Sequence, residues 1–243
     1  MVNAPVTEAL LAALDPRPED TVLDLAGGTG ELAQALSPLV ARVLATDFSP
    51  AMVAAMRRRG IPNADCQVMD LLAIDLPDES VDAVTCRFGY MLVADPGAAL
   101  RETRRVLRPG GRLAFATWAI AARNPWATAY GPVLLERGLQ DPAPPGQPGQ
   151  FGLGEASVVE ELVRAEGFTA VAVEEVPLEF RFRDWDDYRE VMLRLAATTR
   201  ALLEQLDERT RAEVDEAARE RLDSYGGTDG YVLPGLALVT AAT

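Results

Sequence analysis

The chain contains no histidine and no lysine; all 23 of its basic residues are arginine. That excludes a histidine metal site, a Ser–His–Asp triad, a Schiff-base lysine and the lysine of a phosphate-gripping P-loop. Cysteine is nearly missing. Cys66 and Cys86 are too few for a disulfide framework and stand in no metal-binding spacing, so they read as two core thiols. No apolar run reaches the ~20 residues needed to cross a bilayer. The stretch Met1–Leu14 has no basic flank before its apolar residues, which argues against a secretory leader and for a cytoplasmic protein. Positive charge is also scarce: 23 basic residues face 37 acidic ones, a net charge of −14. Such a surface repels phosphate backbones and anionic lipid, so neither nucleic acid nor a membrane is expected as a partner.

What is present is an ordinary globular balance, 49% apolar and 25% charged over 243 residues. A chain of this size buries roughly 70–75% of its unfolded surface, enough for one core without staples. Short apolar runs alternate with amphipathic stretches through the first half, the pattern of a parallel sheet with helices on both faces. Strands are expected at Thr21–Ala26, Arg42–Thr46, Gln67–Met69, Val81–Cys86 and Arg112–Thr117, the last entered through a tight turn at Pro109-Gly110-Gly111. Helices are expected at Thr7–Leu14, Gly30–Leu39, from Ser49 (as N-cap) to Arg59, and at Gly97–Leu107. Beyond a proline- and glycine-rich loop at Asp141–Gln150, a helix over Ala156–Ala165 precedes a strand over Val171–Phe180. Pro177 inside that strand points to an edge or an irregularity. Asp184–Tyr225 reads as two helices broken near Asp207, and Leu236–Thr240 as a last strand.

Ligands of such sheets sit at the carboxyl ends of the strands, near the point where strand order reverses. Asp24-Leu25-Ala26-Gly27-Gly28-Thr29-Gly30 joins the first strand to the first crossover helix there. Its glycines allow positive φ and a close ligand approach, and the helix amides beyond favour an anionic group. Gly28 to Ala33 also satisfies G-x-G-x-x-G/A, so a dinucleotide site is formally allowed. Asp47 ends the second strand and could accept from a ribose diol, or could simply stand as a helix N-terminal charge. Asp70 with Leu71 could hold a base ring; the alternative is a loop acid. Arg87, Phe88, Tyr90 and Met91 follow the fourth strand, either facing a ligand or, as an arginine paired with a carboxylate and aromatics in the core, serving structure.

VLDLAGGTGEL at 22–32, VLATDFSPAMVAAM at 43–56, DLLAIDLPDESVDAVTC at 70–86 and LRETRRVLRPGGRLAFATW at 100–118 resemble the successive motifs of class I S-adenosylmethionine-dependent methyltransferases. In pattern the sequence is most similar to the ubiquinone/menaquinone C-methyltransferases and their bacterial small-molecule relatives. Arg87–Gly89, Ala94–Pro96, Asn124–Trp126 and Pro148–Leu153 match further elements of a bacterial subgroup. The resemblance implies an α/β, doubly wound, mostly parallel seven-stranded sheet with a final antiparallel strand. It also implies S-adenosyl-L-methionine as cofactor, S-adenosyl-L-homocysteine as its product, and no metal. Asp24 would anchor the loop and orient the methionine amino group, and Ala26, Gly27, Gly28 and Gly30 would let the cofactor approach. Asp47 would bind the ribose with Phe48 and Met52 beside the adenosine, Asp70 and Leu71 would hold adenine, and Arg87 would line the methionine end. Ala26 departs from the commoner glycine at its position.

About 20 residues precede the first strand, where relatives carry a longer arm that closes over the substrate. Closure is therefore expected from lid insertions at 119–157 and 184–227 of a single 1–243 domain. The expected substrate wall is Phe88, Tyr90, Met91, Trp118, Trp126 and Phe151, suited to a flat apolar acceptor. No catalytic base stands out; Tyr90 and Tyr130 are the tyrosines considered. A homodimer is compatible with the apolar stripe of the 184–225 stretch. Two alternatives to a small-molecule methyltransferase stay open: a non-catalytic cofactor-binding module, and a nicotinamide oxidoreductase, which would have to work without a Tyr-x-x-x-Lys pair.

Overall fold

The runs Thr21–Leu25, Arg42–Asp47 and Val81–Arg87 are short and mostly buried, as strands covered on both faces are. In the computed structural model, which describes residues 4–142, 147–228 and 230–243, they form one sheet. Helix α1 (Ala4–Leu14) leads into β1 (Thr21–Leu25), α2 (Glu31–Leu36), β2 (Arg42–Asp47), α3 (Pro50–Arg58) and β3 (Ala64–Val68). The chain then crosses to β4 (Val81–Arg87), α4 (Pro96–Val106) and β5 (Leu107–Trp118). Next come α5 (Tyr130–Glu136), α6 (Ala156–Ala165), β6 (Ala172–Phe182), α7 (Trp185–Leu195), α8 (Ala197–Gln205) and α9 (Glu208–Glu220). The two-residue β7 (Gly226–Gly227) and the long β8 (Gly230–Ala242) complete it.

The strand order is β3-β2-β1-β4-β5-β8-β6, with β7 paired to β8 at its side. The strands from β3 to β5 run parallel, and β8 is inserted antiparallel between β5 and β6. Order reverses between β1 and β4, so the crevice beyond their carboxyl ends is where a ligand of such a sheet binds. Seven strands answer to the seven expected, but β3 lies at Ala64–Val68, ahead of the expected Gln67–Met69, β5 and β8 run longer than expected, and β7 is an addition. Pro177 pairs opposite Leu236 on β6, an edge strand, where a missing amide hydrogen is tolerated.

Three local expectations need correction. Pro109-Gly110-Gly111 does not precede β5 but lies within it, as an irregularity: Val81 pairs with Leu107 and Ala83 with Arg112. The 184–225 stretch holds three helices, because Ala196 (φ −100°, ψ 75°) breaks it between α7 and α8. The break at Asp207 is as expected, its carboxylate accepting from the Thr210 amide at 3.0 Å. Ser49 is the residue before α3 but makes no side-chain cap; its own amide donates to Asp47 Oδ1 at 2.8 Å. Residues 143–146 of the expected Asp141–Gln150 loop lie outside the described residues.

Val6, Leu10 and Leu14 of α1 recur at helical spacing and are fully buried, placing α1 against β5 and β8. Arg112 fastens the end of that helix, donating from Nε to the Leu14 carbonyl at 3.0 Å and pairing with Asp20. Among the described residues no helix is long and apolar enough to cross a membrane.

Candidate active site

The loop after β1 is shaped by its own backbone. Ala26, Gly28 and Gly30 all take positive φ (51°, 59° and 86°), so the one non-glycine of the three is held in a strained conformation. The Gly27 amide donates to the Thr46 carbonyl at 2.7 Å and the Gly28 amide to Asp47 Oδ2 at 2.9 Å. The loop thus closes onto the end of β2. A Cβ at Gly27 would stand 2.8 Å from Asp24 Oδ2, whereas one at Gly28 would meet nothing within 4 Å. Gly27 is therefore required by packing, and Gly28 opens onto free space.

That space is a cleft of about 200 Å³, lined by Asp24, the 26–29 loop, Glu31, Leu32, Arg87 and Phe88. Asp24 is fully buried and neither of its carboxylate oxygens has a hydrogen-bond partner. Burial pushes its pKa up to about 7, against the pull of the nearby Arg87 guanidinium. Arg87 closes the cleft differently from the expectation of a group free to face a ligand. Its Nη2 donates to Glu31 Oε2 at 3.0 Å and its Nη1 to Thr7 Oγ1 at 2.8 Å, tying β4 to α2 and α1. The structural alternative for this arginine, a carboxylate partner, is the arrangement found.

Asp47, Asp70 and Leu71 lie outside the lining of this cleft, at the ends of β2 and β3, where the Met69 amide donates to the Asp47 carbonyl at 3.1 Å. Asp70 Oδ1 accepts from the Leu72 amide at 2.9 Å, and Leu71 is buried beside Gly89. Phe48 and Met52 line neither this cleft nor the cavity described next; Phe48 is 70% exposed.

Phe88 stands between two spaces. Its backbone is left-handed (φ 66°), and it lines both the polar cleft and an apolar cavity of about 480 Å³. Its ring stacks on Trp118 at 4.2 Å, Trp118 meets Trp126 edge-on at 4.9 Å, and Trp126 stacks on Phe180 at 4.1 Å. Of the expected substrate wall, Phe88, Met91, Trp118 and Trp126 line this cavity. Tyr90 does not. It is fully buried, bonded to Thr103 Oγ1 at 2.6 Å and packed edge-on against Phe115, and is a core residue. Phe151 does not line it either, although its neighbour Gln150 does.

Further wall comes from β6 and α7: Phe180, Phe182 and Val191, which the sequence reading does not assign, and Met192 and Leu195 of the apolar stripe that it sets against the sheet or a partner. A signal was present in the period-2 alternation of Leu178, Phe180 and Phe182, all buried. Both insertions read as lids contribute to the cavity, through Trp126 and Gln150 from one and α7 from the other. Neither tyrosine considered as a base is free. Tyr130 donates to Asp215 Oδ1 at 2.8 Å, and burial with that carboxylate raises its pKa further. Burial likewise holds the Tyr90 hydroxyl well above its usual range.

Residues 23–115 match the methyltransferase domain family. That stretch contains the glycine loop, Asp24, Asp47, Asp70 and Phe88, the residues on which the resemblance in the sequence rests. The chain is 35% identical over 135 residues to the ubiquinone/menaquinone biosynthesis C-methyltransferase UbiE of Caulobacter vibrioides, an alignment covering 51% of this chain and 54% of that protein. The chain thus spans about half the length of the curated relatives it matches. A Bacillus halodurans protein proposed to be a methyltransferase shares the fold over 97% of both chains (TM-score 0.66, 18% identity). So does Haemonchus contortus phosphoethanolamine N-methyltransferase 2, solved with S-adenosyl-L-methionine (TM-score 0.60, 19% identity, 99% of this chain and 52% of that one). At these identities the two structures speak for the fold.

Proposed function

We propose that the protein transfers a methyl group from S-adenosylmethionine to a small apolar, aromatic acceptor. The observation that carries this is Asp24: a fully buried carboxylate that lines a glycine-lined cleft and makes no hydrogen bond of ordinary geometry, with only the Ala33 amide and the Arg87 guanidinium near enough to pull on it. A buried acid in that condition has room for a direct cationic or hydrogen-bond donor partner. The amino group of the cofactor's methionine end is such a donor. Asp47 spends two of its roughly four acceptor sites on amides, leaving about two for a ribose diol. Asp70 and Leu71 would hold the adenine, on the loop that Asp47 anchors.

S-adenosylmethionine supplies an activated methyl group, so the intrinsic chemistry belongs to the cofactor. The protein's part is alignment and exclusion of water, and alignment of this kind is worth roughly 7–11 kcal/mol. Phe88 suits that part because it borders both spaces. The relative's name supports a quinol-type ring and C-methylation as the finer reading. Calorimetric titration with S-adenosylmethionine, S-adenosylhomocysteine and NAD tests the cofactor, and a screen of aromatic acceptors for methylated product tests the activity. Tight NAD binding with no response to the sulfonium would overturn the reading; cofactor binding without turnover of any acceptor would favour a non-catalytic module.

A further inference from the structure

We propose that the cavity beyond Phe88 selects its acceptor by charge state, admitting a flat aromatic in uncharged form and rejecting the corresponding anion. The proposal rests on the transferase reading only for the word acceptor, since the selection is a property of the cavity wall.

Among the described lining residues Arg181 is the single charged one. It stands on the exposed side of β6, alternating with buried Phe180 and Phe182, and is engaged by Glu179. Gln150 supplies the one neutral polar side chain, and the remaining lining is aromatic or aliphatic. An anion entering here would lose its hydration with no buried cation to replace it, which costs several kcal/mol. The carboxylates of the site, Asp24 and Glu31, lie in the cleft on the other side of Phe88, and Arg87, which could have drawn an anion inward, is already bonded to Glu31 and Thr7. Shape points the same way. Two parallel stacks, Phe88 on Trp118 (7° between planes) and Trp126 on Phe180 (14°), present planar faces that a flat ring can extend.

Trp118 and Trp126 both line the cavity, so indole fluorescence reports its occupation. The test is a titration of the whole chain with methyl 2-naphthoate and with 2-naphthoate, two probes of the same ring that differ in charge. The ester is expected to quench with a Kd at least tenfold below that of the carboxylate. Equal or tighter carboxylate binding overturns the proposal, and so does quenching by neither. Leu195→Lys provides the second arm. This rim side chain is 66% exposed and tolerates a charge, and an ammonium there is expected to cut the ester-to-carboxylate preference at least threefold. An unchanged preference in that variant overturns charge selection by the wall. Because both arms are read without cofactor, failure of S-adenosylmethionine to bind would remove the transferase reading and leave this result standing.

Discussion

The amide of Gly28 donates to Oδ2 of Asp47 across 2.9 Å, so the turn after the first strand and the acid ending the second form one unit. The other oxygen of Asp47 accepts from Ser49, two residues on, at 2.8 Å. Asp47→Ala removes both acceptors while leaving β2 paired on each side. Affinity for S-adenosylmethionine is expected to fall at least tenfold in calorimetry, and stability by only about 1–2 kcal/mol in urea unfolding. Unchanged affinity in a folded variant would take Asp47 out of the site.

Asp24 gives a prediction with a definite pH sense. Its pKa is about 7 in the folded chain against an ordinary value of 3.8. A raised acid binds more protons folded than unfolded, so its contribution to stability is best at low pH. Stability then declines as pH climbs from about 4 through 7, by about 4 kcal/mol in all. Asp24→Asn carries no charge to desolvate. Its stability relative to the parent is expected to be near zero at pH 4 and about 4 kcal/mol higher at pH 8.5, with cofactor affinity lost. A gain of equal size at both pH values would show that ionisation of Asp24 is not its source. In the parent chain, an ammonium placed against Asp24 stabilises the carboxylate. Below pH 7, cofactor binding should therefore release a proton, visible as a heat that varies with the buffer.

Gly89 makes room where the loops after β1 and β4 meet. A Cβ there would lie 2.5 Å from Cys86 Sγ and 2.7 Å from the Ala26 Cβ. Gly89→Ala must push one of these loops aside, at a cost of about 1–3 kcal/mol. Phe88 precedes it in a left-handed conformation, so the Phe88–Trp118 stack should loosen as well. Denaturant unfolding measures the first effect and near-ultraviolet circular dichroism the second. Parent-like values of both would mean that the two loops give way freely.

The parallel half of the sheet was legible because β1, β2 and β4 are largely buried and carry short, mostly apolar runs between helical stretches. The glycine loop and Asp47 were legible because a turn of this kind fixes residue types within a few positions. The aromatic wall was legible only in part. Nothing in Arg-Phe-Gly-Tyr announces that Phe88 turns left-handed, and that turn sends Phe88 to the cavity while Tyr90 goes into the core. Phe180 joins Trp126 across 54 positions of sequence, a contact that no local pattern encodes. The break at Ala196 lies in a run of good helix formers and carries neither glycine nor proline. The engagement of Arg87 by Glu31 and Thr7 depends on where α1 and α2 pack, which is settled by tertiary structure.

Asn124 is the residue on which that tertiary arrangement turns. It is fully buried, and its side chain uses both ends. Nδ2 donates to the carbonyls of Ala119, Leu236 and Ile120 at 3.0, 3.1 and 3.3 Å. Oδ1 accepts from the Leu236 amide and from Trp126 Nε1, each at 2.9 Å. One amide therefore joins the segment after β5 to β8 and fixes the indole that stacks on Phe180. Asn124→Leu keeps the volume but strands the Leu236 amide, the Trp126 indole N–H and the Ala119 carbonyl, whereas the Leu236 and Ile120 carbonyls keep the Ala119 and Arg123 amides. Leaving such groups unpaired is expected to cost about 2–4 kcal/mol in urea unfolding. Asn124→Asp should cost more, because it sets a carboxylate oxygen against carbonyl oxygens. In the leucine variant Trp126 loses its anchor, so methyl 2-naphthoate should bind at least fivefold more weakly under conditions where the chain is folded. A loss below 1 kcal/mol with full ester affinity would show that the wall is held by stacking alone, and that this hydrogen-bond cluster does not position it.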